Sequence, residues 1–215
     1  MKNLNHFFNE RGVTLIELLI VLVLSGLVVA GVYRLFIAQS KAYTVQDQVV
    51  EVQQGVRSAM EIILRDLRMA GFDSDSLTSN ISIANPIIPG DHSVTVNYEY
   101  DDTHRHEITY SLLNGNLTRQ LTIFPDVGPS SSTTENILEN VEALNFTFGV
   151  DTSDPADGAM DGDWRTAAAV TGGNLKVVAV RAVLTAKPDQ TNPDVKEWVS
   201  PRTLTTAVTL RNQCF

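Results

Sequence analysis

One cysteine, no proline before residue 86 and a run of sixteen residues without a charge are the scarcities that shape this chain of 215 residues. The single Cys214 stands next to the C-terminus, so no internal disulfide can form and oxidative stapling has no part in the fold. A terminal thiol leaves only an intermolecular link or a tolerated residue. Basic side chains are also short: 16 Lys and Arg stand against 25 Asp and Glu, for a net charge of −9. A phosphate grip needs concentrated Lys and Arg, so nucleic acid is not an expected partner. The same balance is a poor match for an anionic lipid surface. No G-x-S-x-G, H-E-x-x-H, P-loop or dinucleotide fingerprint occurs, so neither an enzyme activity nor a cofactor is expected.

The uncharged run, Leu18 to Tyr33, lies inside a longer apolar stretch from Val13 to Ala38, in which only Glu17 and Arg34 are charged. As a helix those 26 residues rise about 39 Å, and a bilayer core of about 30 Å needs roughly 20 apolar residues. Lys2 and Arg11 precede the stretch, which orients the N-terminus to the cytoplasm and the C-terminal part outward. Three readings compete. A secretory signal cleaved beyond the apolar run is opposed by Glu17 within it and by the lack of a good A-x-A site. A plain single-span anchor explains the length but not the carboxylate. Cleavage on the cytoplasmic side, after Gly12, keeps the helix and exposes an α-amino group at Val13. This third reading alone gives Glu17 a role, because an acid placed in hydrocarbon is expensive and marks function by default.

Gly12 followed by VTLIELLIVLVLSGLVVAG resembles the prepilin motif of type IV pilins and type II secretion pseudopilins. The resemblance implies cleavage between Gly12 and Val13 by the prepilin peptidase, which is also the N-methyltransferase, and N-methylation of Val13. It also implies residence in the bacterial inner membrane as a single pass, with a periplasmic C-terminal domain, before transfer to a pilus at the cell surface. The implied partners are other minor and major pilins, met through the N-terminal helix. In an apolar bundle the Val13 ammonium of one subunit and the Glu17 carboxylate of the next neutralise each other, and their attraction grows as the effective dielectric falls. Glu17 is therefore the expected assembly residue. The competing reading is that Glu17 only snorkels to the interface.

Helical periodicity continues past Ala38. Val49, Val52, Val56, Met60, Ile63, Leu67 and Ala70 recur at spacings of three and four, one apolar stripe. Glu61 and Arg65 stand four apart off that stripe, and Gly71 is a natural stop. One helix is thus expected over about residues 14 to 70, apolar all round in its first half and amphipathic in its second. Gly26, Gly31 and Ser25 would permit close helix–helix approach. Related major pilins usually carry a proline where Arg34 stands here. That departure, with the larger exported part, favours a minor subunit.

After Gly71 the period becomes two. Val94 to Tyr98, Ile108 to Leu112 and Leu117 to Phe124 read as strands, with Asp101-Asp102-Thr103 and Asn114-Gly115 as turns between them. Leu144 to Val150, Leu175 to Thr185 and Thr203 to Arg211 read as three more. Gly128 to Glu135, GPSSSTTE, reads as a loop. The expected fold is α+β, a long N-terminal helix packed on an antiparallel sheet. Its expected divisions are a leader 1–12, a membrane and polymerisation helix 13–38, an amphipathic continuation 39–71 and an exported domain 72–215.

Segments 57–72, 144–151, 177–186 and 202–212 are similar, in order, to the PilW-type minor pilins. That similarity implies a part in initiating pilus assembly near the filament tip. The J-type minor pseudopilin of type II secretion shares the layout and is the rival, and a tip adhesin is a further alternative. No metal site is expected. Asp151, Asp154, Asp157, Asp161 and Asp163 form an oxygen-rich loop of the kind that suits Ca²⁺, but their spacing misses the EF-hand pattern, and a solvated acidic loop is the plainer reading. His104 and His106 would share one strand face without an identifiable third ligand.

Overall fold

A computed structural model describes residues 12–73, 83–153, 157–173, 175–188 and 199–213. Residues 1–11 of the leader, Asp154 of the acidic loop and Cys214 lie outside the described residues. The chain divides into two compact units, 1–44 and 45–215. Helix α1, Leu15–Met69, contributes to both.

In the first unit α1 is an apolar helix with no buried side chain: Leu15 to Ile37 expose Leu, Val, Ile and Phe on every face. It contains a window long and apolar enough to cross a membrane, none of it buried among the described residues.

In the second unit α1 buries the stripe that its periodicity marks. Val52, Val56, Met60, Ile63, Leu67 and Ala70 are all buried, joined by Ala59. The helix stops where expected. Gly71 adopts φ 71°, the left-handed region that glycine enters without a Cβ clash. Its N–H donates to the Asn97 carbonyl rather than back into the helix, so the stop is also a tie to the sheet.

Two antiparallel sheets carry the rest. The first has the order β1-β2-β3-β4-β5, with β1 Ile87–Pro89, β2 Ser93–Asp101, β3 His104–Leu113, β4 Asn116–Pro125 and β5 Ser131–Leu138. The second has the order β6-β7-β8, with β6 Val141–Asp151, β7 Lys176–Ala186 and β8 Arg202–Thr209. A short helix α2, Ala167–Gly173, precedes β7, and a 3₁₀ turn, Arg211–Gln213, follows β8. Asn114 and Gly115, with φ of 52° and 77°, make the tight β3–β4 turn that an Asn-Gly pair favours.

One core joins helix and sheets. The α1 stripe packs in the same cluster as Val94, Val96, Ile108, Tyr110 and Leu117 of the first sheet and Leu144, Phe146, Phe148, Val180 and Leu184 of the second. The β1–β2 turn links the sheets through hydrogen bonds: Asp91 O accepts from Phe146 N–H, and the Asp91 carboxylate accepts from Ala167 N–H at the start of α2.

Two sequence expectations are corrected here. Residues 131–135 are not a loop but the first part of β5, paired with β4 from Arg119 to Ile123. The strand is polar because residues 131–136 are exposed, and an edge strand wetted on both faces needs no apolar alternation. The single sheet is in fact two. The chain leaves the first at Glu139-Asn140, where Asn140 takes a left-handed φ of 56°, and starts the second at Val141. The short β1 and α2 have no periodic signal long enough to read.

Candidate functional site

The N-terminal end of α1 carries the residues expected to be processed and to direct assembly. Val13 is non-helical and exposed, immediately before the helix. Thr14 is the N-cap: its hydroxyl accepts the Glu17 N–H at 3.3 Å, and its carbonyl accepts the Leu18 N–H at 3.2 Å. Thr14-Leu-Ile-Glu17 is thus the S/T-x-x-E pattern of a capping box, with Glu17 at the third helical position. A carboxylate in the first turn also meets the positive end of the helix dipole. Thr14 was missed in the sequence reading, although the four-residue spacing was there to find it.

The cap gives Gly12, Val13 and Glu17 distinct local settings. Gly12 has open space around its Cα, with no heavy atom within 4 Å of where a Cβ would stand. Glu17 is exposed among Leu15, Ile16, Leu18 and Leu19, all at least 48% exposed. The described residues leave bare the apolar surface around this carboxylate, so covering that surface would enclose the charge with it.

In the second unit, a buried ionic cluster fixes α1 on the first sheet. Asp66, 4% exposed, accepts from Tyr110 Oη at 2.6 Å, from Arg119 Nε at 2.9 Å and from Arg65 Nε at 3.3 Å. Arg119 continues the chain of charges by donating to Glu135 of β5 at 3.1 Å. Burial, then the adjacent Asp66 charge, pushes the Tyr110 phenol above its usual range. Asp66 stands three residues after Ile63, on the apolar stripe itself. A charge at a core position was its sequence signal. Arg65 turns to this carboxylate.

His104 and His106 do share a face of β3, but they serve separate contacts. His104 Nδ1 lies 2.8 Å from Asp101 Oδ1 across the β2–β3 turn. The Thr103 backbone N–H, then the bond to His104, holds the Asp101 carboxyl down at about 2. His106 stacks on Tyr100 at 4.3 Å between ring centroids and meets Tyr98 edge-on. Burial, with Arg119 nearby, lowers its pKa below the usual imidazole range. Among the described residues, no three His, Cys, Asp or Glu side chains converge as a metal site would require.

The acidic loop is held together by its own polar groups. Asp151 accepts from Ser153 N–H and Oγ and from Gly158 N–H, at 3.0, 2.6 and 2.7 Å. Asp161 accepts from Thr152 N–H and Oγ1 at 2.8 and 3.0 Å. Two of the carboxylates are thereby turned into turn caps.

Residues 7–33 match the model of the prokaryotic N-terminal methylation motif. Residues 109–213 match the model of type IV pilus-assembly protein W. The first match covers Gly12, Val13, Glu17 and the apolar part of α1 as far as Tyr33, and the second runs from within β3 to the 3₁₀ turn. No curated protein matches the chain.

Proposed function

We propose that this chain, similar over residues 7–33 to the prokaryotic N-terminal methylation motif and over residues 109–213 to type IV pilus-assembly protein W, is a type IV minor pilin priming filament assembly near the tip. In this reading it acts as a structural subunit and not as an enzyme. The peptidase cleaves between Gly12 and Val13 and methylates the new terminus. The mature subunit waits in the inner membrane, spanning it once with its sheet domain in the periplasm. It then enters the filament through the first part of α1, meeting other minor and major pilins there.

The observation that carries this reading is the apolar surface around Glu17. The described chain covers none of that surface. A bundle of like helices would cover it, and the ammonium of a neighbour's Val13 would neutralise the carboxylate. Removing one member of such a buried pair leaves the other uncompensated, at a cost of about 3–5 kcal/mol. The pair thus sets the register in which a subunit is admitted.

Three measurements test the proposal. The mass of the mature protein is expected to correspond to a start at Val13 with one added methyl; a start at Met1, or beyond Ala38, refutes processing. Glu17→Ala is expected to leave the protein processed and in the membrane but absent from sheared filaments. Wild-type levels of the variant in filaments would remove Glu17 from assembly. The priming role is read from filament number, which is expected to fall when the gene is deleted.

A further inference from the structure

The proposed pairing fixes one charge of α1 and leaves another to be explained. From Leu18 to Gln46 the helix has 29 residues without a single Asp or Glu, while Arg34 and Lys41 both add positive charge. Arg34 sits among Val32, Tyr33, Leu35 and Phe36, each at least 60% exposed, so whatever covers those side chains encloses the guanidinium with them. A guanidinium cannot escape by losing its proton. Enclosed without a partner it opposes assembly.

Helix geometry shows what a second copy of this chain would place beside it. A copy whose Val13 amine meets Glu17 is displaced by about four residues along the axis, or about eight with the full reach of the side chains. That displacement sets Arg34 level with residues 26–30 of one neighbour and 38–42 of the other. The first stretch is Gly-Leu-Val-Val-Ala and the second is Ala-Gln-Ser-Lys-Ala. Neither has a carboxylate, and the second adds a cation. Extending Arg34 by a further turn in either direction still reaches no acid, because the nearest ones are Glu17 and Asp47.

Resting on the proposed assembly through Glu17, we propose that Arg34 discriminates among helix partners. It disfavours a second copy of this chain and selects a different pilin-like subunit, one with a carboxylate about 9–13 or 21–25 residues beyond its own counterpart of Glu17. The charge that weakens self-association is the charge that recognises the correct neighbour, which combines attraction with exclusion of the wrong partner. The chain would then enter a filament in few copies, flanked by other subunits.

The test is self-association of the processed full-length chain in membranes containing the prepilin peptidase. It is read as energy transfer between two C-terminal fluorescent fusions. Wild type is expected to give a low homotypic signal. Arg34→Leu, which removes the unmatched charge, is expected to raise it several-fold. Ala38→Glu, which supplies the missing carboxylate, is expected to raise it as well, and Arg34→Leu added to Ala38→Glu to lower it again. A wild-type signal equal to those of both single variants overturns the proposal, as does a signal that ignores all of these changes. Glu17→Ala separates this inference from the one beneath it. A gain that survives Glu17→Ala keeps Arg34 as the discriminating charge and removes the Glu17 register. No gain, in a protein whose entry into filaments still depends on Glu17, refutes the Arg34 inference alone.

Discussion

The Tyr110 hydroxyl donates to the Asp66 carboxylate across 2.6 Å, joining β3 to a point 44 residues earlier on α1. Arg119 of β4 reaches the same carboxylate oxygen, so one acid on the helix is held by two strands. Apolar packing alone would tolerate small slippage of a stripe of Val, Ile and Leu along a sheet. A buried acid with two fixed donors does not, since any shift leaves charged groups unpaired.

Asp66→Ala is therefore expected to cost about 3–5 kcal/mol, because the buried Tyr110 hydroxyl and the half-buried Arg119 both lose their acceptor. Tyr110→Phe, which deletes one hydrogen bond and keeps the ring, is expected to cost about 1–2 kcal/mol. Urea unfolding of the mature chain in detergent measures both. Equal effects would show that Arg119 is compensated elsewhere, for example through Glu135.

Alkaline pH probes the same contact. The folded environment raises the Tyr110 pKa, by burial first and Asp66 second, while an unfolded tyrosine ionises near pH 10. The neutral phenol is the form that the fold favours. Its contribution is complete below about pH 10 and is lost as the pH climbs beyond it. Tyr98 is shifted in the same direction, again chiefly by burial. Stability followed from pH 8 to 12 is expected to decline above pH 10, with a shallower decline in Tyr110→Phe.

The β2–β3 turn gives the opposite dependence. Asp101 is held at about 2 by the Thr103 amide and His104, against about 3.9 for an unfolded aspartate. A lowered carboxyl pKa stabilises above the unfolded value and stops doing so as the pH falls toward 2. A carboxyl NMR titration is expected to place the Asp101 midpoint near 2 in wild type and to move it only part of the way back in a Thr103→Ala, His104→Ala double variant, which removes both side-chain bonds and keeps the Thr103 N–H.

Thr14→Ala tests the cap. Loss of the hydroxyl that accepts Glu17 N–H is expected to cost the helix start about 0.5–2 kcal/mol. Amide exchange in micelles is expected to quicken at the first helical residues and to stay unchanged beyond residue 45. Unchanged exchange near Leu15 would mean that the helix start is held by something other than Thr14.

Strands with one buried face were legible because alternation is a local property: Val94, Val96 and Ile108, Tyr110 announce themselves in pairs. The β5 strand was not, since its partner β4 supplies the ladder and solvent covers both faces. The division into two sheets was hidden for a related reason, because the break at Glu139-Asn140 depends on where β6 finds its partner, β7, some 35 residues later. The Asp66 cluster needed three segments far apart in the chain, and only a misplaced charge on an apolar stripe hinted at it.

The sequence by itself determined the long helix, its stop at Gly71 and the Gly12, Val13, Glu17 motif, because each is written in neighbouring residues within a few turns. Only the tertiary structure decided which sheet each strand joins, which acids become caps and which charge pins the helix to β3 and β4. Those outcomes depend on which distant partners exclude water from one another, and no local pattern records that.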